Sequence, residues 1–125
     1  MTVRYFTLEE ANAALPRLRA LIEEIWQARE VILAARPELE PVVRQLGNNG
    51  GSRKAGEMVA EFDRIQRAVR EIQDIGCLLR DLDRGLVDFL SHRAGREVYL
   101  CWQYGEPQVL FWHDLETGFA GRQPL

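Results

Sequence analysis

The sequence predicts an α+β fold: a long antiparallel helical hairpin packed on a small four-stranded antiparallel meander, with an ordered C-terminal tail. Three observations carry this prediction. Apolar residues recur at steps of four and three from Leu8 to Ala35 and again from Met58 to Ile72, which is the helical period. From Cys77 onward, short apolar stretches alternate with clusters of Gly, Asp and Pro, as in strands joined by turns. The 125 residues, 46% apolar and 28% charged, have the composition of one globular domain, large enough to bury a core without disulfides or a structural metal.

Within that single domain, residues 1–46 form the first helix and a short helical turn, 47–56 a flexible loop, 57–75 the second helix and 77–125 the sheet and tail. Thr7 and Glu10 have the spacing of a capping box, so the first helix begins near Leu8. Its stripe of Ala11, Leu15, Leu18, Ile22 and Ile25 continues to Ile32, and Ala14, Leu21, Ala28 and Ala35 add a second line that calls for more than one neighbour. Pro16 removes an amide donor and collides with the carbonyl of Asn12, so a kink or break is expected there. Arg36-Pro37 closes the helix, and Pro41 begins a helical turn running to Leu46. Gly47-Asn48-Asn49-Gly50-Gly51-Ser52 has nothing to bury and lacks the lysine and hydroxyl of a phosphate loop. In the second helix, Met58, Phe62, Ile65, Val69 and Ile72 form a coiled-coil-like seam, with Glu57, Glu61, Arg64, Arg67, Arg70 and Glu71 off it. Such long arms beside so small a remainder point to a homodimer sharing apolar faces, unless the sheet covers them.

The predicted strands are Cys77 to Leu82, Leu86 to Leu90, Arg96 to Gln103 and Gln108 to His113. Asp83-Arg84-Gly85, Ser91 to Gly95 and Tyr104 to Pro107 are the turns. This reading pairs Leu82 with Leu86, Arg80 with Asp88, Phe89 with Val98 and Leu100 with Phe111. One face then holds Leu79, Val87, Phe89, Val98, Leu100, Trp102, Val109 and Phe111, and packs on the helices. The other carries Arg80, Leu86, Asp88, Glu97, Tyr99, Cys101, Leu110 and Trp112, too apolar to face water, so the tail, a second subunit or a ligand must cover it.

Composition excludes several function classes. Sixteen basic residues, all arginine except Lys54, against nineteen acidic ones give a net charge of −3, which disfavours nucleic acid and anionic membranes as partners. No run approaches 18 apolar residues and the start lacks a signal-peptide core, so a cytoplasmic protein with reduced thiols is expected. Cys77, Cys101, His92 and His113 match no zinc spacing, and the reading assigns neither metal nor cofactor.

The run Asp81-Leu82-Asp83-Arg84-Gly85-Leu86-Val87-Asp88-Phe89 is followed by Gly95-Arg96-Glu97-Val98-Tyr99-Leu100-Cys101-Trp102, Gly105-Glu106-Pro107, Trp112-His113 and Gly118-Phe119-Ala120-Gly121-Arg122. With the opening Tyr5-Phe6-Thr7-Leu8-Glu9-Glu10-Ala11-Asn12, the chain resembles, over nearly its whole length, the bacterial family catalogued as domain of unknown function 2203. The resemblance implies no activity and no residue roles.

The residues themselves suggest several constellations. Arg80 and Asp88 with Tyr99 and Trp112 make a polar cluster with aromatic walls, the composition of a small-ligand pocket; the plainer reading is a cross-strand ion pair. His113 beside Asp114 and Glu116 could serve acid–base or metal chemistry, or simply form hydrogen bonds. Asp81-x-Asp83-x-Gly85 begins like a calcium loop but has His92 at the twelfth position, where glutamate is needed, and Leu86 at the sixth, where glycine is needed. Cys101, with no cation nearby, reads as a small apolar residue. Trp102, Trp112, Phe111 and Phe119 over a sheet suggest base stacking, against which core packing is the simpler account. Phe119, between two glycines, can plug the open face while Arg122 meets Glu97 or Glu106; a structural clasp is the first reading and an anion-binding arginine the second.

Two function classes follow. The first is an oligomeric binding or assembly module, contacting itself or a protein partner. The alternative is a small-molecule site, conceivably enzymatic, built from Arg80, Asp88, Tyr99, Trp112, His113 and Arg122.

Overall fold

A computed structural model describes residues 3–45 and 58–125; the loop expected over 47–56 lies outside them. Helix α1 spans Leu8–Ala35. Its capping box is formed: the Glu10 amide donates to Thr7 Oγ1 at 3.1 Å and the Thr7 amide to Glu10 Oε1 at 2.9 Å. The helix runs through Pro16, so of the kink or break expected there, the break does not occur. Ala11, Leu15, Leu18, Leu21 and Ile22 on either side are buried. At roughly 1.5–3 kcal/mol for each large apolar side chain, that burial outweighs the proline penalty of about 3 kcal/mol.

A 3-10 turn (Pro37–Leu39) and the short helix α2 (Glu40–Arg44) follow, burying Leu39 and Val43. Helix α3 spans Val59–Ile75 and stops at Gly76, whose φ of 97° is left-handed. Its seam of Phe62, Ile65, Val69 and Ile72 is buried, with Ala68 beside it. Arg17 pairs with Glu71 and Arg64 with Glu24, so α1 and α3 run antiparallel. The stripes that suggested a dimer are covered within the single chain, by each other, by Leu39 and Val43, and by the sheet.

The sheet has five strands where four are expected: β1 (Leu78–Asp81), β2 (Leu86–Arg93), β3 (Arg96–Gln103), β4 (Phe111–Asp114) and β5 (Gln123–Pro124), in sequential antiparallel order. The added strand is the end of the tail. The β2–β3 turn is shorter than expected, only Ala94-Gly95, with φ of 52° and 80°; positive φ at both positions suits the right-handed twist of a hairpin. Phe89 therefore pairs with Leu100 rather than Val98. That shift of two residues leaves the faces unchanged. In β4 the shift is one residue, Leu100 pairing with Trp112 rather than Phe111, and a one-residue slip exchanges the faces. Trp112 is consequently on the helix side, and Phe111 and His113 on the other. In β1, Leu78 and not Arg80 pairs with Asp88, and a bulge between Leu79 and Asp81 sets Arg80 out of register.

The core between helices and sheet includes Val87, Phe89, Val98, Leu100, Trp102, Val109 and Trp112. Of the eight residues assigned to this face, only Phe111 is displaced. Among the described residues, no helix is long and apolar enough to cross a membrane.

Candidate functional site

The sheet face turned away from the helices carries the site. Asp88 on β2 pairs directly across the ladder with Cys101 on β3. His113, two residues beyond Cys101's partner Phe111, comes from β4. All three are buried, at 3%, 0% and 2% exposure, although they point away from the core. The tail covers them. Residues 119–121 form a 3-10 turn and β5 pairs with β4. Arg122 stacks its guanidinium on Phe111 at 4.0 Å and on Phe119 at 4.7 Å. Its Nη2 donates to both oxygens of Glu106 at 2.7 and 2.8 Å. This is the structural clasp, with Glu106 as the carboxylate; Glu97 instead accepts from the Tyr5 hydroxyl.

Hydrogen bonds define the cluster. Arg80 Nε donates to Asp88 Oδ2 at 3.0 Å, and its guanidinium lies 5.0 Å from the Tyr99 ring centroid. His113 Nε2 lies 3.0 Å from Asp88 Oδ1, and Nδ1 lies 2.7 Å from the Asp114 carbonyl oxygen. A carbonyl oxygen can only accept, so Nδ1 carries hydrogen. Across the other contact, Nε2 and the Asp88 carboxylate face each other with both side chains buried. Cys101 closes the group: the ligand-type atoms of Asp88, Cys101 and His113 all lie within 4.8 Å of one another. Burial, and then the charge of Asp88, push its thiol up to about 12, so it is a protonated thiol at neutral pH.

Above Asp88 and His113 is a cleft of about 300 Å³, lined by Arg80, Leu86, Leu115, Glu116, Gly118 and Phe119. The tail thus covers the sheet while leaving an opening over the acid–base pair.

The structure brings together four of the six candidate residues, Arg80, Asp88, Tyr99 and His113. Trp112 is corrected: it packs in the core, under Arg93 at 4.9 Å and Arg96 at 5.7 Å. Arg122 contacts the Cys101 carbonyl at 3.5 Å, so it walls the site from the clasp side. Cys101 is the member that sequence reasoning set aside. Its alternation with Asp88 on one face is the signal for it, but without the correct parity in β4 its other neighbour, His113, is hidden. The remaining potential ligands are elsewhere: Cys77 Sγ donates to the Ile72 carbonyl, and His92 stacks on Tyr5.

No curated protein and no solved structure matches the chain. One family does match, over residues 4–125, and it takes in every strand and the whole tail of the site just described. The chain belongs to the DUF2203 family, described as uncharacterized conserved proteins.

Proposed function

We propose that this chain is a binding module for a small organic acid, held in the cleft beneath the C-terminal tail. One observation carries the reading: the buried pair His113 and Asp88 and the half-exposed Arg80 open into a cleft whose other walls are Leu86, Leu115, Glu116, Gly118 and Phe119. Apolar walls with a few convergent polar groups are the usual make-up of a ligand site, and the volume is at the small end of the range. Arg80 spends Nε on Asp88 and directs a guanidinium with two further nitrogens toward a carboxylate. Binding is favoured over acid–base catalysis because both nitrogens of His113 already face protein oxygens, leaving neither to meet a substrate.

The test is an amide-resolved NMR titration with phenylacetate, leucine and inorganic phosphate at millimolar concentration, in the presence of a chelator. Saturable shifts are expected at residues 80–88 and 113–119. Arg80→Ala is expected to weaken the best probe about tenfold to a hundredfold, since a charge-assisted bond contributes roughly 1.5–3 kcal/mol. Absence of saturation with all three probes, or shifts confined elsewhere, overturns the reading.

Self-association is the second reading. Tyr5, Leu8 and Leu125, each about two-fifths exposed, share a cleft of about 410 Å³ with Phe6 and Leu100, and a second copy of the chain would cover this apolar ground. Light scattering after size exclusion tests it; a monomer at high concentration removes it.

A further inference from the structure

We propose that Asp88, Cys101 and His113 form a binding site for a divalent transition metal of the zinc type, with its fourth coordination position facing the cleft. The three side chains supply one carboxylate oxygen, one sulfur and one imidazole nitrogen from three successive strands. Their ligand atoms lie within 4.8 Å of one another. Around tetrahedral zinc, ligand atoms stand roughly 3.3–3.8 Å apart, given metal–ligand distances of about 2.0–2.3 Å. Small side-chain rotations therefore close the site without moving the strands.

The surroundings match those of metal ligands. A metal-bound histidine usually donates its other ring hydrogen to a carbonyl or carboxylate, which fixes the ring; His113 Nδ1 does so to Asp114 O at 2.7 Å, and the ion would replace the present contact between Nε2 and Asp88 Oδ1. The Asp88 carboxylate is anchored on Oδ2 by Arg80 at 3.0 Å, which leaves Oδ1 to coordinate. Asp88 and His113 line the cleft, so the fourth position is open to a water or a ligand, as in zinc sites with three protein ligands. Sulfur and imidazole favour zinc or cobalt over magnesium or calcium.

Spacing along the chain conceals such a site, because the ligands converge through strand pairing.

The test uses the full chain, dialysed against chelator and then titrated with cobalt(II). Equimolar binding with a near-ultraviolet sulfur-to-cobalt charge-transfer band is expected, together with visible bands of tetrahedral intensity. Zinc is expected to abolish the band by displacement. Cys101→Ser loses the band, whereas Cys77→Ser keeps it and serves as the folding control. Absence of a charge-transfer band in the wild-type protein, or its loss in Cys77→Ser instead, overturns the proposal. The organic-acid titration is made in chelator, so either reading can fail without the other.

Discussion

Replacing Asp88 with alanine tests whether the buried cluster is one coupled unit. Asp88 is 3% exposed, accepts from Arg80 at 3.0 Å and lies 3.0 Å from His113 Nε2. Removing one member of a buried ion pair typically costs about 3–5 kcal/mol, chiefly because its partner stays buried and unmatched. Arg80, with its side chain 43% exposed, can turn to water and contributes at most about 1 kcal/mol. The loss therefore centres on His113, which is left buried without its partner, so Asp88→Ala is expected to cost about 3–4 kcal/mol. For 125 residues the unfolding entropy is roughly 0.26 kcal/mol per kelvin, which converts this to a Tm about 12–15 °C lower. The assay is urea denaturation followed by circular dichroism, in chelator so that metal binding does not contribute. Asp88→Ala, His113→Ala and the double variant complete a thermodynamic cycle, with a coupling of about 2 kcal/mol expected. If the two single losses add to within about 0.5 kcal/mol, the two side chains are independent and do not form one coupled unit.

Three further outcomes can be measured. Arg122→Ala removes the bond to Glu106 and the stacking on Phe111 and Phe119; a cost of about 2–4 kcal/mol is expected by denaturation, with Arg122→Lys costing less, and a neutral result would dismiss the clasp. Gly85→Ala sets a Cβ 2.5 Å from that of Tyr104 at a φ of 63°, while Gly105→Ala, at a φ of 101°, meets nothing within 4 Å. Both strain the backbone by roughly 1–3 kcal/mol, and Gly85→Ala must be the worse of the two in thermal melts because it adds a collision. Burial pushes the Cys77 thiol up to about 12 from an ordinary value of 9.0. Above pH 9 the unfolded chain releases this proton before the folded one does, so the stability that Cys77 contributes is complete below pH 9 and falls as the pH rises to about 12. The stability difference between wild type and Cys77→Ala should shrink across that interval, and a constant difference contradicts the burial argument.

Much of the fold is legible in the sequence because its signals are local. The Thr7–Glu10 box, the three-four spacing of α1 and α3, and the glycine-bearing turns each depend on residues within a few positions of one another. Pro16 does not break the helix because the penalty it imposes is local, whereas the burial of Leu15, Leu18 and Ile22 that offsets it is tertiary. The site is less legible. Its composition can be read, and Arg80, Asp88, Tyr99 and His113 are among the residues that sequence reasoning selects. Its assembly depends on strand parity, and the seven residues from Tyr104 to Leu110 between β3 and β4 do not dictate whether Phe111 or Trp112 pairs with Leu100. One residue of slip moves Trp112 to the core and brings His113 beside Cys101. The cover over the cluster is equally hidden, since a two-residue strand at Gln123 carries no periodic signal.

That short final strand bears on how copies of the molecule can meet. The outer rims of an open sheet offer unpaired amides and carbonyls that invite another chain to add on, and natural proteins blunt them with bulges, prolines or brevity. Here one rim is the four-residue β1, irregular at Arg80, and the other ends in Pro124, which has no amide to donate. Neither offers a straight ladder. Extension of the sheet from molecule to molecule is thereby discouraged.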